Sequence, residues 1–229
     1  PSTIETIDQA FTNWIEGLDI RADTNEGFKK VPVVWLTAER AYQVKSNSEL
    51  RNTTDNAIIY PIIEINRTGI EKSLERKGTA WANIPRMNDA KGGSIMISRR
   101  INQDKTSNFA NAYSKIKHNQ PNFPRKNEKI VYETIMIPMP TYIDVTYEIT
   151  AKTEYQQQMN EIITPFITKP GAINYVLLKS GETHRFEAFV QQEFVSNNNI
   201  GELEEEEKRY ETKITVKVLG YLIGEGKNS

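Results

Sequence analysis

Apolar positions near the start of the chain recur at helical spacing. Ile4, Ile7, Phe11, Trp14, Ile15 and Leu18 form one stripe, which predicts a helix over 3–18. Ser2 or Thr3 can cap its first turn, and Gly17 weakens its end. Residues 19–27 are polar and read as a loop. The period then falls to two. Val31, Val33 and Trp35 share one face of a strand, and Pro32, which has no N–H to donate, puts that strand at an edge or at the start of pairing. Thr37 can cap a short helix from Ala38 to Lys45, followed by a polar loop over 46–56. Residues 57–66, AIIYPIIEIN, predict a second strand, with Pro61 implying an edge position or a bulge.

From Thr68 to Lys129 strong periodicity disappears, apart from a short strand predicted around Ile95–Ile97. Order returns at Ile130, ahead of Pro138 and Pro140. Residues 141–166 are the most regular stretch of the chain. Ile143, Val145, Tyr147 and Ile149 alternate with polar residues as in a half-buried strand. Tyr155, Met159, Ile162, Ile163 and Phe166 then recur as in a helix. Thr153 with Gln156 has the form of a capping box for that helix, and Pro165 sits near its last turn. Phe186, Ala188 and Val190 alternate within a strand over 184–195. Ile214, Val216 and Val218 alternate in a last one, and the two are predicted to pair antiparallel across a long polar connection.

These elements predict an α/β (α+β) fold with a mixed, largely antiparallel sheet of about four to six strands, flanked by helices on at least one face. The reading is of a single domain over 1–229, with a long basic insertion at 67–129. A structureless stretch of that length in a compact domain usually carries function or is disordered.

Charge sharpens the picture of that insertion. Net charge is −1 overall, but residues 67–129 hold fourteen Lys and Arg against five Asp and Glu. The flanking segments carry −4 and −6. A basic middle is set into an acidic body, a pattern that bears on partners rather than on fold. No apolar run approaches the ~20 residues of a membrane-spanning helix. The N-terminus has no basic-then-apolar signal pattern, and Pro1 suggests a removed initiator methionine. The absence of cysteine excludes disulfides and thiolate chemistry and fits an intracellular origin.

Candidate chemistry is sparse. His118 and His184 are far apart, with no second His or Cys at ligand spacing, so no metal or other cofactor is expected. Lys91-Gly92-Gly93-Ser94 lacks the rest of a phosphate loop. Asp144 and Glu148 share a strand face with Thr146 between them. Metal nucleases place acids in this way, and so do ordinary solvated strand faces, which are commoner. No catalytic residue is assigned, and no enzymatic activity is expected. Arg99, Arg100, Lys105, Lys115, Lys117, Arg125 and Lys126 are interleaved with Phe109, Tyr113, Phe123 and Tyr132. Cations beside aromatics suit single-stranded nucleic acid, and equally an acidic protein partner. The spacing does not separate the two; protein contact is the preferred reading and nucleic-acid binding the alternative. Glu204, Glu205, Glu206 and Glu207 read as a solvated loop tip or, in a ring, as a lumen-facing acidic loop that repels a passing polyanion.

The order and spacing of FKKVPVVWLTAERAYQVK, AIIYPIIEINRTGIEKSLERK, VTYEITAKTEYQQQMNEIITPF and YETKITVKVLGYLI resemble the tail sheath stabiliser, or tail completion protein, of T-even-type contractile-tailed phages. Tyr147, Glu148, Ile149, Glu154, Tyr155, Pro165, Phe166 and the Gly220-Tyr221 pair carry the resemblance, which spans about residues 1–223. It implies a tail-terminator-like fold and a structural virion protein without cofactor or catalysis. It further implies a hexameric ring at the head-proximal end of the tail, assembled in the host cytoplasm. Its partners would be further copies of itself, the sheath protein, the tail tube or tube terminator, and the neck proteins. DNA would pass only as cargo in the lumen, and no membrane is involved.

Overall fold

The fold was determined as a computed structural model, which describes residues 2–24, 27–36, 58–77, 94–108, 130–138, 140–181, 184–199 and 209–223. The chain divides into two compact units. One comprises Pro1–Arg76 with Thr141–Gly226, and the other Lys77–Pro140 with Lys227–Ser229.

The first unit is an α+β fold around a six-stranded sheet. Helix α1 (Ile4–Gly17) begins at Thr3, whose side chain accepts from the Thr6 N–H while the Thr6 hydroxyl reaches back to the Thr3 N–H. A hairpin of β1 (Arg21–Thr24) and β2 (Gly27–Lys30) follows where the sequence predicts a loop. Next come β3 (Val33–Trp35) and β4 (Ile62–Lys72), which pair in parallel. Pro32 immediately precedes the edge strand β3, in keeping with its missing N–H. Pro61 lies just before β4, after a cis Tyr60–Pro61 bond. The strand predicted to be interrupted by it therefore begins after it, and is central rather than at an edge. The predicted helix over 38–45 lies outside the described residues.

Strand β4 runs on through Lys72, past the predicted start of the insertion at 67, with a bulge between Arg67 and Gly69. Beyond Arg76, the second unit contains β5 (Ser94–Ile101), a short helix α2 (103–108) and β6 (Tyr132–Pro138), with β5 and β6 antiparallel. The described part of the insertion is therefore folded rather than a plain loop.

The chain returns to the first unit in β7 (Thr141–Thr153), α3 (Gln156–Thr168), β8 (Tyr175–Ser180), β9 (His184–Asn198) and β10 (Tyr210–Leu222). Strand order is β3-β4-β7-β10-β9-β8, with all pairings antiparallel except β3–β4. Thr153 ends β7, paired with Tyr210, instead of capping α3; the N-cap is Tyr155, which makes no side-chain cap bond. Pro165 lies inside the last turns of α3.

One face of the sheet carries the core. Ile143, Val145, Tyr147 and Ile149 of β7 stand beside Ile214, Val216 and Val218 of β10, all nearly or fully buried. Ile7, Phe11 and Ile15 of α1 and Met159, Ile162 and Phe166 of α3 pack onto them. The sheet curls around α1, which touches β8 at one edge and accepts a 2.8 Å bond from Trp35 Nε1 of β3 to Thr12 Oγ1 at the other. Aromatic rings run through this core. Phe11 stacks on Tyr147 with centroids 4.1 Å apart, Trp35 meets Tyr147 edge-on, and Trp14 meets Phe166 edge-on.

α1 comes close to β10 only because position 220 is glycine. A Cβ there would stand 2.6 Å from Ile7 Cδ1 and 3.4 Å from Ile143 Cγ1. Ile7 can turn its terminal methyl aside for a methyl group but not for a branched side chain. Gly220→Val is expected to lower stability by about 1–3 kcal/mol in chemical denaturation, with Gly220→Ala costing clearly less.

Candidate functional site

In β5 and β6 the register pairs Ile101 with Tyr132, Arg100 with Glu133 and Arg99 with Thr134. Because side chains alternate along a strand, Arg99, Ile101, Tyr132 and Thr134 share one face, and Ser98, Arg100, Glu133 and Ile135 the other. The Arg99 guanidinium carbon sits 4.0 Å from the centroid of the Tyr132 ring, a cation–π contact at an exposed site. On the opposite face Arg100 Nε donates to Glu133 Oε2 at 2.8 Å. That hydrogen bond, and then the charge attraction, hold the Glu133 carboxyl below its usual range and raise Arg100. Lys105, exposed on α2, adds to the same field. Asn102 Oδ1 accepts from the Lys105 N–H at 3.0 Å, and the Val131 N–H donates to Thr106 Oγ1 at 3.0 Å, which ties α2 to the start of β6.

Four apolar side chains at this end of the ribbon are not covered. Ile101, Ile130, Tyr132 and Ile135 are each about half exposed. A two-stranded ribbon with bare apolar residues is marginal alone, and exposed apolar residues rimmed by charge are typical of contact surfaces. Of the seven cations proposed from sequence, the structure brings together Arg99, Arg100 and Lys105. Lys115, Lys117, Arg125 and Lys126 lie outside the described residues, as do Phe109, Tyr113, Phe123 and the acidic run Glu204–Glu207.

On the outer face of the large sheet the charges of β7 are matched by neighbouring residues. Along β7, Asp144, Thr146, Glu148, Thr150 and Lys152 point away from the core. Each charge reaches diagonally to a neighbouring strand, a geometry open to long side chains. Lys152 pairs with Glu64 at 2.7 Å, Glu148 with Lys213 at 3.4 Å and Asp144 with Lys217 at 2.8 Å. Arg76 closes on Asp144 as well and donates to the Ile143 carbonyl at 2.7 Å. Asp144 and Glu148 do share a face, as predicted, but as members of cation-matched pairs. Among the described residues no group of three His, Cys, Asp or Glu side chains is placed to hold a metal ion. Burial raises the Asp144 pKa, yet Lys217 and Arg76 outweigh it and hold the carboxyl below its ordinary value. The folded pKa therefore lies below the unfolded one. The stability this group contributes is present above about pH 3.8 and is lost as pH falls through the folded pKa. Asp144→Asn should remove part of the acid-side slope of stability against pH; an unchanged slope contradicts the assignment.

A third feature was not visible in the sequence. A cleft of about 570 Å3 lies along α1, β3 and β4, lined by Glu5, Asp8, Gln9, Thr12, Asn13 and Glu16 on the helix, and by Trp35, Leu36, Asn66 and Arg67 opposite. At its base Asp8 accepts from Tyr147 Oη at 2.6 Å through one oxygen and from Arg67 Nη1 at 2.6 Å through the other. Burial, then the bond to Asp8, raises the Tyr147 pKa far above its usual value, so the phenol stays protonated and donates. His184 opens β9 as expected. Its Nδ1 lies 3.2 Å from Tyr221 Oη and its ring stacks on Phe186, which is a packing role.

No protein-family model matches the chain, and none of the curated proteins compared with it matches either.

Proposed function

We propose that this chain is a structural virion protein of a contractile phage tail. In this reading it forms a ring, hexameric by resemblance, at the head-proximal end, where it terminates and stabilises sheath and tube and joins the tail to the neck. The observation that carries the reading is a compact basic unit with uncovered apolar residues attached to an acidic body. Residues 77–140 hold eleven Lys and Arg against four Asp and Glu, a net +7, which leaves −8 for the rest of the chain. Such a unit needs a partner surface, and a chain with both signs can bind copies of itself head to tail, the kind of contact that closes into rings. The self-paired outer sheet face supports a scaffold role, since its charges serve one another. Purified tails, quantified against sheath protein, should contain about six copies per tail. A copy number that grows with tail length contradicts the proposal.

The exposed Tyr132 beneath Arg99 supports a second reading, a stacking site for single-stranded nucleic acid. That reading requires affinity that falls steeply with salt. Absence of binding to single and double strands at low salt removes it.

A further inference from the structure

We infer that the cleft between α1 and β3–β4 is the acceptor for the Arg99–Tyr132 corner of a second copy of this chain, an inference that rests on the ring reading above. The cleft carries three carboxylates, Glu5, Asp8 and Glu16, and one cation, Arg67, which is already engaged by Asp8. Its net charge is therefore −2. The Trp35 ring forms part of one wall, and Leu36 adds an apolar lip. Carboxylates beside an indole suit a guanidinium and the hydrocarbon that accompanies it, because the charge is matched and the flat surfaces stack. The same carboxylates repel phosphate, which argues against nucleic acid as the occupant. The volume falls within the ~300–1,000 Å3 of clefts that enclose a ligand, room for more than one side chain.

The ribbon in the second unit has the matching chemistry. Arg99 lies over Tyr132 with Ile101 beside it, all on one face and all exposed. The polar stripe Glu5, Gln9, Asn13 and Glu16, with a carboxylate at each end, follows the outward side of α1 at helical spacing over roughly 16 Å. It presents a rigid row along which such a corner can be held. Because +7 and −8 belong to every copy, each chain offers one donor and one acceptor, and the contact can repeat from copy to copy until a ring closes.

The chain has no cysteine, so introduced ones report cleanly. One full-length preparation carries Asn13→Cys in the cleft and another Thr134→Cys on the Arg99–Tyr132 face of the ribbon, both at exposed positions. Mixed at low salt under oxidising conditions, they should give a disulfide-linked dimer of one copy of each, with a yield that falls as salt rises. Adding Gln9→Lys and Glu16→Lys to the first partner should cut the yield at least tenfold. Adding Arg99→Glu to the second should recover most of it. Circular dichroism melts of all four proteins verify that each is folded. No mixed dimer, a product confined to single chains, or a yield indifferent to the charge reversals overturns the inference. Six copies at the tail end together with no such cross-link would leave the function standing and remove this contact. The cross-link without a tail-end ring would do the reverse.

Discussion

Phe11→Ala is expected to be among the most destabilising single changes in the chain, at about 3–5 kcal/mol. Phe11 is fully buried on the inner side of α1, stacked on Tyr147 and tilted against Trp14 at 5.7 Å. Through these rings α1 is joined to the middle of the sheet at β7 and, by Trp14 and Phe166, to α3. Alanine removes the ring and leaves a cavity bounded by both helices and the sheet, which cannot collapse from three sides at once. In a unit of this size the loss corresponds to a fall in melting temperature of roughly 10 °C. Phe11→Leu keeps most of the volume and should cost less than half as much. A drop below about 1 kcal/mol for Phe11→Ala, measured by chemical denaturation, contradicts the described core.

The second large effect concerns assembly. The triple variant Arg99→Glu, Arg100→Glu, Lys105→Glu moves residues 77–140 from +7 to +1 and sets a new carboxylate at position 100 opposite Glu133. All three side chains are exposed, and exposed substitutions of this kind seldom disturb a fold, so the melting temperature should stay close to that of the parent. Incorporation into tails, read as the amount of this chain per sheath subunit, should fall more than tenfold, because the cations that would meet a partner are reversed, whereas the exposed Arg100–Glu133 pair within the ribbon contributes little to its stability. Normal incorporation of a folded variant would mean that the ribbon is not an assembly surface. A loss of folding together with incorporation would move the effect from assembly to stability; Arg99→Gln, which keeps a polar side chain and removes one charge, separates the two cases by giving a partial assembly defect at unchanged melting temperature.

Where apolar residues alternate against polar ones, sequence and structure agree. Ile7, Phe11, Ile15 and Leu18 of the α1 stripe, the inner positions of β7, and Phe186, Ala188 and Val190 of β9 are buried as their spacing predicts, with Ile4 and Trp14 partly so. Disagreement arises where a segment has no buried face to leave a pattern. The β1–β2 hairpin carries Phe28 exposed and is otherwise mostly polar, so its alternation is absent although its backbone is paired. Strand β4 leaves the core at Arg67 and continues as an exposed strand, which moved the predicted insertion boundary too early. β8 did leave a signal, Val176 and Leu178 on the inner face, but in a run of only six residues. Tyr155 kept helical spacing and is nonetheless more than half exposed, because as N-cap its backbone is extended and its ring leaves the stripe.

The candidate surfaces were legible only in part. A basic segment with interleaved aromatics pointed to the region of the ribbon, yet the pairing that stacks Arg99 on Tyr132 joins distant positions and depends on register. The acid-lined cleft joins Asp8, Arg67 and Tyr147 across 139 positions. Arg76, which settles the state of Asp144, is 68 positions distant. Local spacing carries no trace of such partners, so Asp144 and Glu148 could look like a metal pair until their cations were seen.

Imaging intact tails at a resolution that resolves subunits decides whether the proposed ring forms at one end of a contractile tail. One ring of about six copies is expected at the head-proximal end, seated on the last sheath and tube discs. Copies distributed along the tail, or tails that contain none, would contradict it.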